Sequence, residues 1–233
     1  MAETKQTKGI TMMQVTPAYR AILFDLDGTL TNSGPGIMDS VRKTLAGMNK
    51  PALSESGLRK FIGPPLSTSF RTFCGMNEEE TADAIRRYRL IYRGGNIFNA
   101  SVYPGIPKLL TALRRAGAFL AVATSKPASM TKDVLNHFGL MPYFDFVSAA
   151  DESERSRTKD TIILPAVKAA ECSPAQAIMI GDTCFDAQGA RLAGTSFIGV
   201  LYGFGSEAEM RKEGAEKFVR LPAELRPMLI DNG

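Results

Sequence analysis

Phe24-Asp25-Leu26-Asp27-Gly28-Thr29-Leu30 decides how this chain is read. It follows directly on Ala21-Ile22-Leu23, so an unbroken apolar run ends abruptly in two acids, a glycine and a hydroxyl. A short continuous apolar run suits a strand covered on both faces, as in a parallel sheet flanked by helices. The polar turn behind it then stands at the carboxyl end of the strand, where open parallel sheets bind their ligands.

Working outward, the same form recurs in Phe119-Leu120-Ala121-Val122-Ala123, Phe144-Asp145-Phe146-Val147, Ala177-Ile178-Met179-Ile180 and Phe197-Ile198-Gly199-Val200. Helical spacing fills the gaps. Ile106, Leu109, Leu110 and Leu113 follow the start signal Tyr103-Pro104-Gly105; Met130, Val134 and Phe138 precede Gly139; Ile162, Ile163, Ala166, Val167 and Ala170 form a third stripe. Strand–helix alternation predicts an α/β fold with a parallel sheet and right-handed crossovers.

Residues 35–100 break the rhythm. Val41 with Leu45, and Ala84, Ile85, Tyr88, Ile91 and Tyr92, are helix-spaced, and Phe61-Ile62-Gly63-Pro64-Pro65-Leu66 marks a sharp bend between helices. The expected organisation is a polar lead-in over 1–18, a core domain over 19–34 and 101–233, and a helical second lobe over 35–100 inserted after the first strand.

The residues that end the strands carry the chemistry: Asp25 and Asp27, Thr124, then Asp182 and Asp186, with Lys159 opening the helix after the third strand's long loop. Carboxylates gathered in one crevice repel one another and any anionic substrate, and a divalent cation such as magnesium, with its preference for carboxylate and phosphate oxygens, removes both difficulties. A carboxylate is a competent nucleophile towards phosphorus, and a second one can protonate the leaving oxygen and then activate water. A lysine supplies a point charge to phosphate oxygens and a threonine hydroxyl one hydrogen bond. Blander readings stand beside these. Asp27-Gly28 is a common turn dipeptide, Thr124 could be a helix N-cap, and Lys126 and Arg157 compete with Lys159 as the phosphate-binding cation.

Taken together, these stretches resemble the haloacid dehalogenase (HAD) superfamily, from about residue 20 to the end. Asp25-Leu26-Asp27-Gly28-Thr29 is similar to its DxDGT signature, Ala123-Thr124-Ser125-Lys126-Pro127 to its second motif, Lys159 to the lysine of its third, and Gly181-Asp182-Thr183-Cys184-Phe185-Asp186 to its GDxxxD motif, in family order. Tyr103-Pro104-Gly105, Tyr143-Phe144-Asp145 and Gly199-Val200-Leu201-Tyr202-Gly203 point within it to the phosphoglycolate phosphatase-like branch. The resemblance implies a Rossmann-like core with a helical cap. It implies a magnesium-dependent phosphatase with Asp25 as nucleophile and Asp27 as general acid/base. Magnesium would be held by the Asp25 side chain, the Asp27 backbone carbonyl and Asp182, with Asp186 in support; Thr124, Ser125 and Lys159 would bind the phosphoryl group. The substrate would be a small phosphorylated metabolite, phosphoglycolate-like or nucleotide-like. Arg59 and Lys60, before the bend, are candidates for gripping a second anionic group, or are two solvated helix charges.

Composition narrows the field. A net charge of +4 with scattered basic residues does not describe a nucleic-acid-binding protein. His137 is the single histidine, which leaves little material for a serine–histidine triad. Cys74, Cys172 and Cys184 match no zinc spacing. No apolar run reaches membrane-spanning length and the N-terminus has no signal-peptide core, so a cytoplasmic protein is expected. The rival functions are a phosphomutase of the same superfamily, a dehalogenase, which lacks the second acid and the metal, and a catalytically silent phosphate-binding regulator.

Overall fold

The computed structural model describes residues 15–151 and 158–232. Strand β1 (Val15–Pro17) precedes β2 (Ala21–Phe24), and β3 (Thr31–Asn32) leads into α1 (Gly34–Gly47), α2 (Glu55–Arg59), α3 (Leu66–Cys74) and α4 (Glu78–Arg93). After β4 (Ser101–Val102) the chain alternates through α5 (Ile106–Arg115), β5 (Phe119–Pro127), α6 (Ala128–His137), β6 (Phe146–Ala150), α7 (Asp160–Ala169), β7 (Ala177–Gly181), α8 (Cys184–Ala193), β8 (Ser196–Val200), α9 (Glu207–Lys212) and β9 (Phe218–Val219). Helix α10 (Arg226–Leu229) and β10 (Ile230–Asn232) end the described chain.

Six strands form a parallel sheet in the order β6-β5-β2-β7-β8-β9. The side-chain alternation of each strand divides it between two cores. Ile22, Phe24, Leu120, Val122, Ile178 and Ile180 pack with Leu109, Leu110 and Leu113 of α5 and Met130 and Val134 of α6. Ala21, Leu23, Ala121, Ala123, Ala177 and Met179 pack with Ile162, Ile163, Ala166 and Val167 of α7 and Ala190 and Ala193 of α8. Both faces are covered, which is why the strands read as continuous apolar runs. Each fully buried Leu, Ile or Phe contributes about 1.5–3 kcal/mol.

Strand β2 lies between β5 and β7, with Phe24 level with Val122 and Ile180. Asp25 stands one residue beyond this level and Thr124 and Asp182 two, so the three lie side by side, although β5 itself runs on to Pro127.

Two differences from the expected elements have clear causes. The third strand begins at Phe146 rather than Phe144. Asp145 is occupied at the strand's entry, its amide donating to the Leu120 carbonyl and its carboxylate accepting from the Leu120 amide at 2.9 Å, while Phe144 turns edge-on to Phe24. Residues 15–17, at the end of the expected polar lead-in, form β1 against β10 in an antiparallel pair. Residues 1–14 of that lead-in lie outside the described residues, as do residues 152–157.

The helical insert hangs on a short antiparallel stem, Thr31 opposite Val102 and Asn32 opposite Ser101. Helix α4 starts at a capping box, Asn77 and Glu80 each satisfying the other's backbone amide. Phe61 sits edge-on to Phe70 and Phe73, and Val41, Leu45, Phe70, Ala84, Tyr88 and Tyr92 join the first core. The bend after α2 needs Gly63, at φ +106, and a Cβ there would stand 3.2 Å from Thr183 Cγ2. The insert thus touches the loop that carries Asp182.

Candidate active site

The Asp25 amide donates to the Ile180 carbonyl at 2.9 Å, extending the sheet ladder one residue beyond β2. The chain then turns sharply, Leu30 and Thr31 amides both donating to the Leu26 carbonyl. Gly28, at φ +93, lets the turn pass against Asp182; a Cβ there would lie 2.1 Å from Asp182 Oδ2. Any side chain at Gly28 would displace that carboxylate.

An inner group forms around Lys159. Its Nζ lies 2.8 Å from Asp25 Oδ1 and also contacts Asp186 Oδ1. The other Asp186 oxygen accepts from the Thr183 amide at 2.9 Å and hydroxyl at 2.7 Å. Asp182 accepts from the Thr29 hydroxyl at 3.3 Å and the Phe204 amide at 2.8 Å, both neutral donors. Burial pushes the Asp25 carboxyl up to about 6, against the pull of Lys159 and with help from Asp186 and Asp27. Asp182 is raised well above the usual carboxylate range, by burial and then by repulsion from Asp186 and Asp25. Burial disfavours the Lys159 ammonium, but Asp186 and Asp25 outweigh it and hold its pKa above the ordinary lysine value.

An outer group forms around Lys126. Its Nζ donates to both Asp27 oxygens, at 3.2 and 3.0 Å, and to the Tyr92 hydroxyl at 2.7 Å. Tyr92 comes from α4 and stacks on Tyr88 at 5.4 Å.

Both groups face one cavity of about 290 Å³, between the sheet edge and the insert. Asp25, Asp27, Thr124, Ser125 and Lys159 line it from below, and Phe61, Leu66, Tyr88, Arg89 and Tyr92 from the insert. Thr124 is not a helix cap, because Pro127 holds that position for α6; its hydroxyl accepts from the Lys126 amide at 3.2 Å. Between the two candidate lysines the partners are divided, Lys159 to Asp25 and Asp186, Lys126 to Asp27; Arg157 lies outside the described residues. Arg59 and Lys60 are exposed at the end of α2 and are not among the cavity's lining residues, and Lys60 lies over the Phe73 ring at 5.6 Å. The cation that the insert presents to the cavity is Arg89. Arg89 escaped the sequence reading, Tyr92 stood there only in a helical stripe, and Lys126 only as a rival of Lys159. The available signal was Lys126 inside the second motif and the Tyr88-Arg89…Tyr92 spacing on one helical face.

The inner group fits a divalent cation. Asp25, Asp182 and Asp186 each bring one carboxylate oxygen within 4.8 Å of the others, all buried. Three carboxylates against one ammonium leave an excess of two negative charges in a desolvated place, and the donors are the hard oxygens that magnesium prefers.

The sequence comparison agrees with this geometry. The family model for haloacid dehalogenase-like hydrolases matches residues 22–200, which hold every strand-end acid described above. This chain belongs to that family. Among curated relatives, this HAD-like hydrolase is 37% identical over 213 residues to a 5'-nucleotidase of Pseudomonas aeruginosa, covering 91% of this chain and 96% of the relative. It is 30% identical over 224 residues to a plasmid-encoded phosphoglycolate phosphatase of Cupriavidus necator, covering 93% and 97%. Among solved structures, the crystal structure of a predicted phosphatase from Clostridium acetobutylicum superposes with a TM-score of 0.85 at 40% identity, over 90% of this chain and 97% of that one. The α/β fold with a mostly parallel sheet is thus shared with HAD phosphatases. Among the described residues, no helix is long and apolar enough to cross a membrane.

Proposed function

We propose that this HAD-like hydrolase is a magnesium-dependent phosphatase that cleaves a small phosphomonoester through an aspartyl phosphate on Asp25. The observation that carries this reading is the buried Asp25–Asp182–Asp186 cluster with Lys159 at 2.8 Å from Asp25, opening on a cavity that also presents Asp27 and Thr124.

Asp25 and Asp182 side chains and the Asp27 backbone carbonyl would hold the magnesium, with Asp186 fixing the surroundings through Lys159 and Thr183. Bound there, the ion supplies neutralisation of the acidic cluster and of the phosphoryl charge. Asp25 attacks phosphorus and the ester bond to the leaving oxygen breaks. Asp27 gives its proton to that oxygen, then takes one from the water that cleaves the Asp25 phosphate. Lys159 draws phosphoryl oxygens by charge, and the Thr124 and Ser125 hydroxyls donate to them. The division between a catalytic core over 19–34 and 101–233 and a cap over 35–100 belongs to the same proposal. The insert roofs the cavity, excludes water and meets the leaving group.

The relatives' names suggest two substrates, a nucleoside monophosphate and phosphoglycolate, and the modest cavity suits a small ester. Three free cysteines suit a reducing compartment, and we place the protein in the cytoplasm.

The test is phosphate release from adenosine 5'-monophosphate, phosphoglycolate and p-nitrophenyl phosphate, with and without magnesium. Release should require the metal, and Asp25→Asn should lower it at least about 10³-fold. Undiminished release by that variant, or full activity in a chelator, sinks the proposal.

A further inference from the structure

Lys126 is a buried ammonium to which the reaction outlined above gives no task. Its side chain is 5% exposed, and it reaches Asp27 on one side and Tyr92 on the other. The Tyr92 ring also lies beneath it, with Nζ 4.7 Å from the centroid. The backbone prepares this placement. Pairing of β5 with β6 is regular up to Thr124–Ala149, then shifts before Pro127–Ala150. Thr124 and Lys126, two residues apart in an extended strand, are both buried with Ser125 exposed between them, the alternation that a strand gives.

The result is a chain of contacts from core to insert: Asp27 carboxylate, Lys126 ammonium, Tyr92 hydroxyl. Tyr92 lies in the last turn of α4, just before the chain returns to the stem. A buried ion pair is poor evidence for a stabilising role, since its desolvation cancels much of its attraction. What it does provide is direction. Both Asp27 oxygens are held by one ammonium, and that ammonium is held by a residue of the insert.

We propose that Lys126 is a positioning residue that aims the Asp27 carboxylate, and that Tyr92 ties this aim to the seating of helix α4 over the site. The inference rests on the reading of Asp27 as the acid/base group. Asp27 then meets the leaving oxygen in a productive orientation only while the insert is seated.

The experiment compares two leaving groups. p-Nitrophenolate departs without a proton, whereas the alkoxide of an alkyl ester (adenosine 5'-monophosphate or phosphoglycolate, whichever is cleaved faster) needs one. The readout is leaving-group release in a single turnover, because Asp27 also serves as the base when water cleaves the Asp25 phosphate, whichever ester formed it. Asp27→Asn should slow this release by about 10²–10⁴-fold for the alkyl ester and far less for the aryl ester. Lys126→Met should copy that selectivity at reduced size, with the single-turnover rate at saturating substrate falling about 10-fold further on the alkyl ester than on the aryl ester and the half-saturating concentration nearly unchanged. Lys126→Arg should recover part of the loss, and Tyr92→Phe should show the same preference more weakly.

Equal losses of that single-turnover rate on both esters in Lys126→Met, or an effect on the half-saturating concentration alone, would overturn the proposal and leave Lys126 a structural or substrate-contacting residue. If Asp27→Asn itself shows no leaving-group preference, the acid/base reading fails and this inference falls with it. If Asp27→Asn shows the preference and the Lys126 variants do not, only this inference falls. Should Lys126→Met not fold, Tyr92→Phe, which keeps the ring, decides by the same criterion.

Discussion

The inner and outer acid–lysine groups are built from the same residue types and differ in charge balance. Around Lys159, two carboxylates contact one ammonium and a third, that of Asp182, lies beside them, all in a buried place. Around Lys126, one carboxylate meets one ammonium and a neutral hydroxyl. The inner group is short of positive charge and calls for a cation; the outer group is balanced and needs none. The inner group is also carried wholly by core elements, β2, β7 and the starts of α7 and α8, whereas the outer one spans core and insert. One place is made to hold an ion rigidly, the other to couple two parts of the chain.

Four measurements test that contrast. The largest effect is expected from Asp182→Asn, which removes an inner carboxylate. Magnesium-dependent turnover should fall at least about 10²-fold, and added magnesium should no longer raise the melting temperature. A variant that keeps its full magnesium-induced stabilisation would show that the ion is held elsewhere.

Next is Lys159→Met. Removing one partner of a buried ion pair costs about 3–5 kcal/mol, and here it leaves Asp25 and Asp186 facing each other. Metal-free protein should melt on the order of 10 °C lower. Magnesium should restore more stability to this variant than to the parent, and a smaller gain would contradict the charge deficit assigned to the inner group.

Smaller, a few degrees, is the pH dependence of magnesium stabilisation. The inner carboxyls are raised in the fold, Asp25 to about 6. Their protonated forms favour folding at low pH, and that contribution is lost as pH rises through the folded-state values. Magnesium competes with those protons. The melting-temperature gain on adding it should therefore be larger at pH 7.5 than at pH 5; an equal or reversed gain would mean that the raised acids do not bind the ion.

The smallest effect belongs to the insert alone. Asn77→Ala removes the side chain that caps α4 and should cost about 1 kcal/mol, or about 3 °C. The magnesium response should be unaltered, and a changed response would show that the inner group is not independent of α4.

Much of the inner group was legible in the chain. Asp25 and Asp182 each follow an apolar run that is buried on both faces, so they must emerge at a strand's carboxyl end, and Asp186 lies one helical turn beyond Asp182. The outer group was not legible. Lys126 and Lys159 look alike as residues, and which carboxylate each meets depends on how β5 and the start of α7 sit against β2, elements far apart in the chain. Arg59 and Lys60 looked suited to the cavity because they precede the bend. The packing of Phe61, Phe70 and Phe73 sets how the insert's helices face the core, and Arg89 lines the cavity instead. The β1–β10 pair joins opposite ends of the chain through very short segments, below what local pattern can register.

The sequence by itself determined the layered α/β fold and the acids at the strand ends, because burial on both faces and the polar break after each run are local properties of the chain. Only the tertiary structure decided which charge faces which, and which insert side chains close the cavity. Those pairings depend on strand placement and helix packing between residues far apart in the chain, where no local periodicity reaches.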